Sequence, residues 1–272
     1  MTQPMTFGDL VRDWRNRRRM TQMDLALEAE LSSRHMSFLE TGRSRPSREM
    51  VLRLSERLEL PLRDRNQLLA AAGFAPVYPE RRLDDPALAA GRRAVELILT
   101  GHEPHPALAV DRRWTLLSAN AAAMELMGGV DPVLLAGPVN VLRLSLHPGG
   151  LAPRILNLAE WRAHVLERLR QDLAASADPA LAELLAEISA LPAPPTAVGR
   201  PHGADYGGVA IPLRLASEAG PLSFISTTTV FGTAIDVTLS ELMLETFFAA
   251  DEHTARVMSD LAAARARRSR AA

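Results

Sequence analysis

Residues 21–47 read TQMDLALEAELSSRHMSFLETGRSRPS. Two apolar groups, Leu25 with Ala26 and Met36 with Leu39, lie on either side of a polar step, and each fits the buried stripe of a short helix. Thr21 stands where an N-cap belongs before the first group, and Ser32 or Ser33 before the second, because a hydroxyl there accepts from a free N–H of the first turn. The first of these helices is expected to end between Glu28 and Leu31. A core helix has no use for Ser32, Ser33, Arg34 and His35 crowded around its anchors, with Arg43 and Arg45 close behind. The spacing therefore predicts a second helix with one face packed and the other presented to a partner.

The surroundings complete a small helical core. FGDLVRDWRNRRR, residues 7–19, sets Phe7, Leu10, Val11 and Trp14 at the i, i+3, i+4, i+7 spacing, with its arginines toward the end where the helix dipole favours cations. Gly42 falls where a left-handed C-cap is expected, and Pro46-Ser47 restart the chain. Met50, Val51, Leu54 and Leu58 share one face of a fourth helix, Pro61 stops it, and RDRNQLLAAAGF, residues 63–74, gives a fifth that ends at Gly73.

In a helix-turn-helix, the second helix exposes its N-terminal side chains to base edges while its other face packs on the first. Residues 21–41 have that order. On TQMDLA, LSSRHMSFLETGRSRPS and LLAAAGF, residues 7–73 resemble the Xre/Cro-type helix-turn-helix, a five-helix, lambda-repressor-like, all-α DNA-binding domain. The resemblance implies that Gln22, beside Thr21 at the start of its helix, bonds a backbone phosphate. It also implies that Ser33, Arg34 and Ser37 face the major groove, with Ser32 and His35 at its edge, and that Arg43 and Arg45 hold phosphates. The partner is then a double-stranded DNA operator, and two half-sites call for a homodimer. Taken one residue at a time, the same arginines read first as the solvated face of a helical bundle. Where the family commonly has glycine in the turn this chain has Glu30, and a non-glycine at positive φ there costs about 1 kcal/mol.

APVYPERRLDDP, residues 75–86, is rich in proline and charge and marks a domain boundary. The expected organisation is 1–75 as the helix-turn-helix domain, 76–105 as a linker with a connecting helix, 106–255 as a second domain and 256–272 as a basic C-terminal tail. PALAVDRRWTLLSAN, residues 106–120, reads as two short strands around a turn at Asp111-Arg112-Arg113, followed by the helix AAAMELMG. Helices are expected from Leu158 to about Ala175 and over PALAELLAEISAL, residues 179–191. PAPPTAVGRPHGADYGG, residues 192–208, is a loop by composition whose length points to a mobile or functional segment. GVAIPLRL and LSFISTTTVFG, residues 208–215 and 222–232, read as antiparallel strands, and one or two helices fill 240–267. Strands, helices and strands in that order predict an α+β domain with helices on one side of one sheet.

ALAVDRRWTLLSANAAA resembles the opening of a PAS-like sensor domain, in which an aspartate turn joins two strands and an asparagine starts the next helix. LRLSLHPGGLAPRILNLAEWRAHVLERLR and TTVFGTAIDVTLSELMLETFFAADEHT resemble the ligand-binding domain of MmyB-like transcription regulators, over roughly residues 80–255. That resemblance implies a PAS-like pocket for a small apolar ligand, a fatty acid or similar acyl molecule. Trp114, Leu142, Leu144, Ile155, Leu156, Trp161, Phe224 and Phe231 are the candidate lining, although each also serves as plain core. A carboxylate head group needs a cation or donors, and His147, Arg154, Asn157 and Arg162 are the candidates. The ordinary alternative is a surface ion pair, such as Arg162 with Glu160 or Glu167.

Composition narrows the function classes. A chain of 272 residues is long enough for two modest cores. With no cysteine, disulfides, thiolate chemistry and Cys-based zinc sites are excluded. MTQPMTFGDLVRDW carries no basic-then-apolar leader and no segment approaches bilayer length, so the expected compartment is the cytoplasm, with no membrane partner. The net charge of −1 argues against a protein coated in nucleic acid, yet all 31 basic residues are arginine, whose planar fork suits phosphates and guanine edges. GHEPHP brings His102 and His105 near Glu103, but its prolines forbid the helix an H-E-x-x-H zinc site requires, and neither a G-x-S-x-G elbow nor a phosphate-cradling glycine loop is present. No enzyme, metal or cofactor is expected. The reading is a ligand-gated transcription regulator. The alternative, from another class, is a DNA-binding interaction module, antitoxin-like or scaffold, whose second domain binds a protein.

Overall fold

The structure is a computed structural model that describes residues 5–176, 178–192, 210–232 and 234–271. It divides into two compact units: the first runs up to Leu83 and includes Gly232–Ser240, and the second comprises Asp84–Phe231 and Glu241–Ala272. The expected loop 192–208 lies, from residue 193 onward, outside the described residues.

Five helices build the first unit: α1 (Phe7–Arg17), α2 (Gln22–Glu28), α3 (Ser33–Glu40), α4 (Arg48–Arg57) and α5 (Leu62–Ala71). Hydroxyls cap four of them. Thr6 and Thr21 form capping boxes with Asp9 and Asp24, while Ser32 and Ser47 accept from the N–H groups of His35 and Met50. Each such cap contributes about 1 kcal/mol, which matters for helices this short. Phe7, Val11, Trp14, Leu25, Met36, Leu39, Val51, Leu54, Leu58 and Leu68 meet in one buried core. The turn between α2 and α3 runs through Glu30 at φ 58°, the left-handed step that a glycine takes without strain.

Beyond α5, the Asn66 side chain accepts from the backbone N–H groups of Val77 and Tyr78 and donates to the Tyr78 carbonyl, which holds the following segment on the bundle. Residues 232–240, expected inside the second domain, belong to the first unit. The reason is local: the Val237 N–H donates to the Pro79 carbonyl at 2.9 Å, Arg81 pairs with the buried Asp236 carboxylate at 2.9 Å, and the Thr238 hydroxyl donates to the Arg81 carbonyl.

The second unit opens with α6 (Ala89–Gly101), β1 (Ala107–Val110), β2 (Leu116–Ala119), α7 (Ala121–Leu126), α8 (Pro132–Leu135) and α9 (Val141–Leu146). It continues with α10 (Leu158–Ser176), α11 (Pro179–Ala190), β3 (Leu213–Leu215) and β4 (Leu222–Val230). After α12 (Val237–Ser240), which lies in the first unit, come β5 (Met243–Ala249) and α13 (Glu252–Ala271). The five strands form an antiparallel sheet in the order β2-β1-β5-β4-β3, so the α+β fold class is the one expected. The expected turn is present: the Asp111 carboxylate accepts from the N–H groups of Arg113 and Thr115, and Asn120 caps α7.

Two sequence expectations need correction. Helix is expected over 240–267, but residues 243–249, MLETFFA, form β5, paired on both sides by β1 and β4, which overrides the helix preference of their leucine, methionine and glutamate. Helices were expected on one side of the sheet. All four residues of β1 are buried, so both of its faces are covered, and α6 is among the helices packed against it. The tail expected over 256–272 is helical, as part of α13.

Candidate functional site

The first unit holds α3 in place through one carboxylate. α1 crosses α3 at Gly8, where a Cβ would lie 2.4 Å from the Glu40 carbonyl oxygen, so only glycine allows this approach. The crossing brings two arginines of α1 to Glu40. Arg15 donates from Nε to Oε1 at 2.6 Å and from Nη2 to Oε2 at 3.1 Å, while Arg12 donates to the Glu40 carbonyl at 2.8 Å. Gln22 Nε2, from α2, donates to the same Oε2 at 2.7 Å. Burial alone would push the Glu40 carboxyl up, but the hydrogen bonds from Arg15 and Gln22 and the charges of Arg15 and Arg12 hold it below its ordinary value. α1, α2 and α3 are thus tied at a single ionised group.

With its inner face anchored by Met36, Leu39 and Glu40, α3 presents Ser33 and Arg34 to solvent, and His35, Ser37 and Phe38 are half-buried. Gly42, at φ 73°, turns the chain so that the N–H groups of Arg43 and Ser44 both donate to the Phe38 carbonyl, at 2.8 and 3.1 Å. Arg43 and Arg45 emerge exposed from this loop. Among the described residues, none of Arg34, Arg43 and Arg45 has an ion-pair partner, so one end of the unit carries concentrated positive charge.

The other residues singled out in the sequence have local duties. Thr21 caps α2, Ser32 caps α3, and the Gln22 amide is engaged with Glu40. The His35 Nε2 is buried without a hydrogen-bond partner, and the Ser37 carbonyl accepts from the Thr41 hydroxyl. Gly8, Arg15, Phe38 and Glu40 escaped sequence reasoning, because what distinguishes them is a contact made across the fold.

In the second unit, Trp114, Leu142, Leu144, Ile155, Trp161 and Phe224 all join one buried core with Val165, Leu169 and Leu215. Phe231 is half-buried and Leu156 is exposed. Each of the four polar residues expected for a head group is engaged with backbone. Arg154 donates to the carbonyls of Leu126 and Gly128, and Arg162 donates to those of Ile188, Ser189 and Leu191 at the end of α11. Asn157 donates to the Pro212 carbonyl and accepts from the Arg214 N–H, while His147 Nδ1 accepts from the Gly149 N–H.

A different polar group borders that core. Trp114, at φ 64°, donates from Nε1 to Asp172 at 2.9 Å, and the Arg168 guanidinium lies 5.2 Å from the Trp114 ring centroid. Arg168 donates to the Thr228 hydroxyl at 2.8 Å, and that hydroxyl donates to Glu245, its register partner on β5. Burial pushes the Glu245 carboxyl up, against the hydrogen bond from Thr228 and the charge of Arg168. His164, one turn before Arg168, is held below its ordinary value by burial and by the charge of Arg168. The group exists only because residues 243–249 form a strand, since Glu245 on a helix would not face Thr228.

Two family models match the chain. Residues 6–68 match a helix-turn-helix domain, and residues 92–261 match the MmyB-like transcription regulator ligand binding domain. No curated protein matches. Among solved structures, a chain described as "Structure of an RNA-binding Light-Oxygen-Voltage Receptor" is 13% identical, over 94% of this chain and 66% of that one, with a TM-score of 0.24. This chain thus spans just under two thirds of that chain's length. Among the described residues, no helix is long and apolar enough to cross a membrane.

Proposed function

The chain belongs to the MmyB-like transcription regulators and is a DNA-binding regulator with a ligand-binding domain, and from that premise we propose that α3 reads a duplex operator while the second unit senses a fatty acyl molecule. The observation that carries the first half is the end of the first unit, where Ser33 and Arg34 of α3 stand beside Arg43 and Arg45 without ion-pair partners among the described residues. Ser33, Arg34 and Ser37 take the base edges, and Arg43 and Arg45 take the phosphates that set register.

For the ligand, the supporting feature is the large apolar core of the second unit, with Trp114, Leu142, Leu144, Ile155, Trp161 and Phe224 together. An acyl chain entering it gains about 0.8 kcal/mol per buried methylene before ordering costs. His147, Arg154, Asn157 and Arg162 remain the head-group candidates, and to serve, Arg154, Asn157 and Arg162 must exchange backbone carbonyls for a carboxylate. The protein acts as a homodimer on paired half-sites, and α6, which exposes Leu97, supplies a surface for it.

The test uses delipidated full-length protein. Long-chain fatty acids should raise the melting temperature and shift operator affinity, while short acids do neither. No heat and no thermal shift with any acyl chain would replace the sensor by a module that binds a protein.

A further inference from the structure

One aromatic side chain meets two of the arginines just assigned to DNA. Phe38 lies one helical turn beyond Arg34, so the two share a face of α3. A long side chain in a helix leans back toward the N-terminus, which carries the Phe38 ring over the turn that bears Arg34. The Arg34 Cζ stands 5.3 Å from the ring centroid. The Arg43 Cζ stands 6.0 Å from the same centroid, brought there because the N–H groups of Arg43 and Ser44 close on the Phe38 carbonyl. Phe38 is only half-buried, although it sits between the buried Met36 and Leu39.

Resting on the reading of α3 given above, we propose that Phe38 is a positioning residue that holds the Arg34 guanidinium ready for a guanine edge in the major groove and Arg43 ready for the adjoining phosphate. The chemistry supports this division. A guanidinium over an aromatic face is attracted by the ring quadrupole while its N–H edge stays free, and that edge makes the bidentate contact with guanine O6 and N7. Arginine side chains carry considerable rotamer entropy, and a stacked fork loses less of it on docking. Arg34 and Arg43 have no other partner among the described contacts, so the ring sets both orientations. An aliphatic residue of similar bulk would fill the same half-buried space and attract neither cation.

The experiment uses full-length protein and an operator enriched by the wild type from a random duplex pool, with random duplex as the non-specific competitor. Phe38→Leu, and Phe38→Met as a second aliphatic variant, should keep the wild-type melting temperature. They should lose roughly two- to fivefold in the ratio of specific to non-specific affinity through Arg34, and a similar factor in affinity for every duplex through Arg43. Preference for guanine at one position of each half-site should fall with it, and Phe38→Trp should restore both. In the Arg34→Ala background, Phe38→Leu should have little further effect on that base preference. If the aliphatic variants keep the wild-type ratio while Arg34→Ala lowers it, the inference fails and the assignment of Arg34 stands. If Arg34→Ala itself leaves the ratio and the base preference unchanged, the assignment of Arg34 fails, and this inference fails with it.

Discussion

Arg15 and Glu40 meet edge to edge inside the first unit, with two parallel hydrogen bonds of 2.6 and 3.1 Å between a guanidinium and a carboxylate that are both buried. Removing one member leaves the other charge without its partner, which in a buried pair costs about 3–5 kcal/mol. Arg15→Met should therefore destabilise the first unit by that amount in denaturant unfolding, and operator binding should weaken as α3 loosens. A variant of wild-type stability would remove the pair as the anchor of α3.

The same pair sets an acid limit. The Glu40 carboxyl is held below its ordinary value of 4.5, so its contribution is fully present above that pH and is lost as pH falls through the lowered value. Glu40→Gln should flatten the pH dependence of first-unit stability below pH 4.5 while lowering stability at neutral pH. Parallel acid titrations of the two proteins, followed by thermal melting, decide this.

Glu245 carries the opposite sign. Its carboxyl is raised above 4.5, so the proton it holds favours the folded second unit below that pH, and the advantage is lost as pH rises through the raised value. Glu245→Gln should stabilise the second unit at neutral pH, and the gain should shrink toward zero in acid. A gain that is constant with pH would show that packing, and not ionisation, is responsible.

Gly8→Ala places a methyl 2.4 Å from the Glu40 carbonyl oxygen, a backbone atom that has no rotamer to move. The loss should be at least the 1–3 kcal/mol typical of overpacking, because α1 must leave α3. Circular dichroism melting measures it, and Gly101→Ala, where nothing lies within 4 Å, is the control.

Arg43→Ala and Arg45→Ala should each weaken binding to every duplex and reduce the slope of log affinity against log salt by about one. Ser33→Ala with Arg34→Ala should instead erode discrimination between operator and random duplex. A mobility-shift titration across salt separates the two classes, and identical behaviour would cancel the division of roles.

The first unit was legible in the sequence because its signals are local. Thr21, Ser32 and Gly42 act within a turn of themselves, and the apolar stripes report helix faces directly. The strands β1 and β2 were legible too, through the turn at Asp111 and the cap at Asn120. β5 was not, since MLETFFA carries helix-favouring residues and becomes a strand only through pairing with β1 and β4, more than a hundred residues away for β1. The partners of Arg154 and Arg162 were not legible, because they are backbone carbonyls 26 to 29 residues distant, which no side-chain pattern records.

The return of the chain to the first unit at Gly232–Ser240 has a consequence for the order of synthesis. Asp236 and Val237, both buried, leave the ribosome only after about 150 residues of the second unit have been made. At roughly 5–20 residues per second, about 8 to 30 s separate the emergence of Arg81 from that of the carboxylate it binds. Throughout that interval the nascent chain carries all five helices of the DNA-reading bundle without the nine residues that close over residues 79–81. Translation that stops between residues 84 and 231 therefore releases a bundle lacking its final segment, so finishing the DNA-reading unit depends on having made most of the ligand-binding one.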